Sequence, residues 1–214
     1  SMDELNDYSG EFKPGLKLQD FSKEMLRKYL QEVSKFYLLI GGLWFNHIRD
    51  RFSERVADEV HWEFWETLGG VHEMNRPRVA MKIWGDDVES ALKWVQVDPG
   101  VGLVFDIDCE LKNKDLGILT VKDCNALRYY ERHGDRALLE SACGLDCWGF
   151  TWGVRHMNPD LSMKCLKVPP RQGPDEPACI WEIKMDPSHA SVVNPELPEY
   201  AQRAAAKADW DIPW

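Results

Sequence analysis

The apolar residues of this chain change period near residue 100, and that switch limits the folds open to it. Before it, Phe21, Met25, Tyr29, Val33, Phe36, Ile40, Trp44 and Ile48 recur at helical spacing behind Ser22, a residue suited to cap a helix. Ser53 opens a second helix carrying Val56, Val60, Trp62, Phe64 and Trp65, and Gly69-Gly70 is expected to close it. A third helical segment runs from about Val71 to Trp84, with Pro77 in its first turn or at a kink. Asp86 and Glu89 have the form of a capping box ahead of a short helix through Leu92 and Val95.

Beyond residue 100 the pattern alternates. Val104 to Leu111 and Leu116 to Val121 read as strands joined at Asn113-Lys114-Asp115. Two helical stretches follow, Asn125 to His133 and Asp135 to about Met157, punctuated by Gly134. Leu161 to Val168 and Ala178 to Met185 form a second hairpin around a proline-rich loop. The fold class is therefore α+β: an N-terminal helical half packed on a four-stranded antiparallel sheet made of two hairpins. Residues 1–19 read as an irregular arm, 20–185 as one domain, and 186–214 as a tail with a short helix at Tyr200 to Trp210. That tail, ending in Trp214, is the candidate contact for a homodimer.

Charge and apolar content remove several classes of function. The net charge is −10 and no basic cluster runs against it, so a phosphate backbone would be repelled and no nucleic-acid partner is expected. The longest apolar run, Phe36 to Phe45, is too short to span a bilayer, so no membrane partner is expected either. Ser1-Met2 reads as a cloning remnant with no charged-then-apolar leader after it, which points to the cytoplasm. In that compartment the six cysteines are thiols or metal ligands rather than disulfides.

Chemistry, where there is any, falls in the second half. Cys143 and Cys147 lie four apart on one helical face, with Asp146 on the same side of the helix. Cys165 and Cys179 lie on the last two strands; with Cys124 they offer enough sulfur for a zinc site, although buried inert thiols are the plainer reading. On a plain hairpin Cys165 and Cys179 would be out of register by about three residues, roughly 10 Å at strand rise. A cysteine nucleophile needs a basic helper, and His156 is the nearest along the chain, with a surface histidine as the alternative. Ten tryptophans suit an aromatic-lined cavity as well as a core; Trp44, His61, Trp65, Trp148 and Trp152 are the candidate ligand contacts. No GxSxG, P-loop, GxGxxG or EF-hand spacing occurs, and His72-Glu73 lacks the spacing of HExxH.

The stretch from Val121 through Cys124 and Leu127, then Tyr130 to Gly134, Cys143-Gly-Leu-Asp146 and Cys179-Ile-Trp-Glu182 resembles the L-2-amino-thiazoline-4-carboxylic acid hydrolase-like family. The helical part, Gly42 to Phe45 and Trp65 to Gly69, is similar to a related uncharacterised family of anaerobic bacteria, and the closing hairpin resembles vinyl-reductase-type small-molecule-binding domains. The likeness implies a shared constellation of Cys124, Cys143, Asp146 and Cys179. It implies a hydrolase acting on a small cyclic or aromatic substrate. The alternative is a sensory module that recognises a small ligand while cysteines hold a structural zinc.

Overall fold

The computed structural model describes residues 4–185, apart from the side chains at 70 and 71. Its core is an antiparallel sheet of β1 (Asp106–Asn113), β2 (Leu116–Asp123), β3 (Leu161–Lys167) and β4 (Cys179–Met185), in the order β1-β2-β4-β3. The two expected hairpins thus sit side by side, joined where β2 pairs with β4. Alternation sends Cys109, Leu119, Trp181 and Cys165 to one face, paired across all four strands. That face is the buried one: Leu119, Trp181, Ile183, Met163 and Leu161 are almost entirely removed from water.

Helices cover this face in two tiers. α4 (Val88–Val97) crosses β2 at Gly117, where an added Cβ would meet Val88 Cγ1 at 2.9 Å and Leu92 Cδ1 at 3.0 Å. Only glycine permits that approach. α6 (Arg136–Met157) lies beside α4 and buries Leu145, Trp148, Trp152 and Val154 against the sheet. Outside them stands the hairpin of α1 (Lys23–Arg51) and α2 (Glu54–Leu68). Both helices begin as their sequences suggest: Ser22 Oγ accepts from Met25 N and Ser53 Oγ from Val56 N, each at 3.2 Å. The Gly41-Gly42 pair admits a close neighbour, for the Trp65 indole packs 3.2 Å from where a Cβ at 41 would lie.

α5 (Asn125–His133) ends at Gly134, whose φ of +68° is the left-handed conformation glycine adopts at least cost. Asp135 then does two jobs. Its carboxylate caps α6 at Leu138 N, 3.1 Å away, and takes a two-pronged ion pair from Arg49 Nη1 at 2.8 and 3.0 Å. The end of α1 is thereby tied to the start of α6. At the N-terminus the arm is irregular but anchored, since Leu5 N donates to Asp20 O and Ser22 N to Leu5 O.

Several expectations need correction. Gly69-Gly70 does not close α2: the chain continues through a wide π turn, Gly69–Glu73, into α3 (Met74–Met81). Pro77 explains part of this, because it has no N–H to donate to the carbonyl of Glu73 four residues back. The capping residue of α4 is Asp87, which accepts from Ser90 N at 2.9 Å, rather than Asp86. Val104 and Phe105 precede the first strand and wind in a turn in which Phe105 N donates to Val101 O. Gly102 forces the winding by lying against the backbone of Gln96. Cys165 faces Trp181, so Cys179 is offset by two residues, with an irregularity after Cys165 absorbing the third. No helix among the described residues is long and apolar enough to cross a membrane. The expected tail helix and its dimer contact lie outside the described residues.

Candidate functional site

Between the two helical tiers and the sheet lies a cavity of about 730 Å³. Its walls come from every part of the fold: Gly41 and Gly42 on α1, His61 and Trp65 on α2, Glu73 on the π turn, Trp94 on α4 and Asp98 just after it, Cys143, Asp146, Trp148 and Trp152 on α6, and Cys179 and Trp181 on β4. Gly149 and Gly153 on α6 give it depth; a Cβ at 149 would meet nothing within 4 Å. Exposed Lys35, Arg128 and Arg132 line its outer end.

The aromatic lining is ordered by ring contacts. Trp148 and Trp152 stack with centroids 5.0 Å apart and planes within 20°. Phe150 meets Trp94 and Trp181 edge-on, and Tyr37 meets Trp65 in the same way at 5.3 Å. Such edge-to-face pairs hold flat surfaces at fixed angles.

One end of the cavity carries sulfur. The Cys124 thiol caps α5, accepting from Leu127 N at 3.4 Å, and Cys179 Sγ accepts from Trp181 Nε1 at 3.1 Å. Cys143 completes this end, with Cys124 and Cys179 near enough to oppose its ionisation. Burial is the main cause, and it pushes Cys124 up to about 12 and Cys143 and Cys179 well above the ordinary thiol range. Cys147 and Cys165 touch one another behind the wall, outside the lining, where Cys165 Sγ donates to Lys167 O. Five sulfurs thus gather in one region. Among the described residues, however, no group of three or more His, Cys, Asp or Glu is arranged to hold a metal ion.

The other end carries carboxyl groups. Glu73 and Asp98 converge above Gly100, where an added Cβ would sit 3.0 Å from Glu73 Oε1 and 3.3 Å from Asp98 Oδ1. Asp98 is 1% exposed; its Oδ1 accepts from Gly100 N at 2.8 Å, and its Oδ2 has no hydrogen-bond partner among the described residues. Asp146, between the two ends, feels Glu73 as well. Loss of water around them raises all three, Glu73 and Asp146 each to about 7 and Asp98 well above the carboxylate range, although Asp146 keeps an exposed side chain. The Trp65 and Trp94 indole N–H groups are also buried without partners.

Of the candidates drawn from sequence, the cavity brings together Cys124, Cys143, Asp146, Cys179, His61, Trp65, Trp148 and Trp152. His61 is buried and pushed down to about 4 by loss of water, with Ser141 Oγ at 2.9 Å from its Nδ1. Trp44 lies on the outer face of α1, 59% exposed and away from the lining. His156 is also outside the lining, thirteen residues along α6 from Cys143, and its Nδ1 donates to Trp152 O at 3.0 Å. Sequence reasoning misses Glu73, Asp98 and Trp94. Asp98-Pro99-Gly100 is a recognisable turn signal, but nothing in it says that the turn is buried.

Comparison with protein-family models, with curated proteins and with solved structures finds no match for this chain.

Proposed function

We propose that this protein binds a small, flat, largely apolar molecule inside the cavity. The observation that carries this is the makeup of the lining: a mostly apolar wall, to which Trp65, Trp94, Trp148, Phe150, Trp152 and Trp181 contribute rings, with polar side chains at fewer positions. At about 730 Å³ the space falls within the range of pockets that enclose a ligand of a few rings. The Trp148–Trp152 stack offers such a ring a broad face, and two unpartnered indole N–H groups await acceptors or a second polar contact.

Indole is the simplest probe. It should quench or shift the intrinsic tryptophan emission saturably, and Gly149→Leu, which fills open space in the lining, should weaken it at least tenfold. Equal binding by native and Gly149→Leu protein, both folded by circular dichroism, would remove the cavity as the site.

A catalytic reading is favoured by one feature, Asp146. A carboxyl that lines the cavity and is raised to about 7 is matched to general acid or base work at neutral pH. In a hydrolysis of a small cyclic substrate, Asp146 would take a proton from the attacking water. Cys143 would line the site as a neutral thiol, since its burial opposes a thiolate nucleophile.

A further inference from the structure

The carboxyl end of the cavity has a feature that binding of an apolar ring does not use. Glu73 and Asp98 reach the same point above Gly100 from different elements, and the Tyr37 ring closes over it, its Cε1 3.6 Å from that point. Asp98 lines the cavity and is removed from water, yet its Oδ2 has no partner among the described residues. A buried carboxyl oxygen with no donor forfeits the hydrogen bonds it had in water, a cost that a donor-bearing ligand removes. The same groups stand at the C-terminal end of α4, where the aligned carbonyls favour positive charge. Trp94 lies one turn before Asp98, and Trp65 meets Tyr37 edge-on, so aromatic rings flank the acids.

We infer that this corner is a subsite for a protonated amine, and that the ligand is a flat ring bearing an ammonium group. The inference rests on the cavity reading above and names the chemistry of one part of its ligand. A cation there gains charge-assisted hydrogen bonds from two carboxylates and contacts with ring faces, the combination that selects ammonium over a neutral group of the same size. The groups facing the corner are Glu73 from the π turn, Asp98 just after α4, Tyr37 from α1 and Asp146 from α6, with the neutral thiols farther along. Among the described residues no basic side chain acts on Glu73 or Asp146, and an ammonium ligand would supply the counter-charge. Without it the acids hold protons; an arriving ammonium displaces them.

Tryptamine and tryptophol share one ring and differ in ammonium against hydroxyl. Calorimetric titration of the full chain at pH 8 should show tryptamine binding at least tenfold tighter. Asp98→Asn and Glu73→Gln, which keep shape and remove charge, should erase that advantage while leaving tryptophol unchanged. At pH 7, titrations in two buffers of different ionisation enthalpy should register protons released with tryptamine and none with tryptophol, a readout that needs no variant. Equal affinities, or a tryptophol preference, overturn the subsite and leave the cavity reading standing. Absence of binding by indole, tryptamine and tryptophol alike takes the cavity reading down with it.

Discussion

The two ends of the cavity bury polar groups in similar numbers but under opposite terms. At the sulfur end, thiols tolerate burial because a neutral cysteine behaves as a small apolar side chain, and two of them still find donors. At the acid end, carboxyls lose water and gain little, and one oxygen stays unpartnered. The conspicuous residues in the sequence, the cysteines, are therefore at rest. The inconspicuous ones carry the unbalanced chemistry.

That contrast can be broken at several points. Trp181→Ala should be the costliest change, because the ring is 1% exposed, lies at the centre of the sheet and forms part of the cavity floor. We expect a loss of about 3–5 kcal/mol in urea unfolding, and a loss below about 1 kcal/mol would mean that the floor is not packed as described. Asp146→Asn should act in the other direction. In the folded protein this carboxyl titrates near 7, against 3.8 for an ordinary aspartate, so the folded state holds the proton longer than the unfolded one. Stability from this group is complete below about pH 4 and is lost as pH rises towards 7, by less than the full shift would give because the side chain is solvent-exposed. The asparagine variant should flatten that slope between pH 4 and 8 and be the more stable protein at pH 8. An unchanged slope would place the cost elsewhere.

At the sulfur end, iodoacetamide at pH 8 should label native Cys124, Cys143 and Cys179 about 100-fold more slowly than the same residues in urea. Rapid labelling of Cys143 in the native state would reveal a thiolate and turn the comparison around. The smallest effect is expected for Cys124→Ser, where a hydroxyl replaces a weak sulfur acceptor at the start of α5. Hydroxyls are favoured at that position, so stability should change by less than about 1 kcal/mol; a large loss would show that the thiol is held by more than its cap.

Much of the fold was legible because local signals and tertiary structure agree. Ser22, Ser53, Asp135 and Gly134 mark helix ends where the structure has them, and the alternation of 116–121 and 179–185 places Leu119 and Trp181 on the buried face. The misreadings occur where a distant contact overrides a local pattern. Gly69-Gly70 looks like a stop, but the chain stays helical there with Glu73 buried against Tyr37. Val104 and Phe105 look like strand, but Gly100 and Gly102 draw them into a turn against α4. For the site, periodicity put Cys143 and Asp146 on one inward face, and it placed Trp65 near His61. It had no means of showing that Glu73 and Asp98, 25 positions apart in the chain, meet over one glycine.

The π turn at Gly69–Glu73 gives that meeting a phase. A wide turn uses one residue more than an α-helical turn, and each residue advances a helix by about 100°. Removing a single residue there would restore regular winding from α2 into α3 and swing α3 about its axis by more than a quarter of a revolution. The Glu73 carboxyl would leave the cavity while Trp65, upstream, kept its place. The two walls are thus set like the hands of a clock by one surplus residue, and a one-residue deletion would uncouple them with every side chain intact.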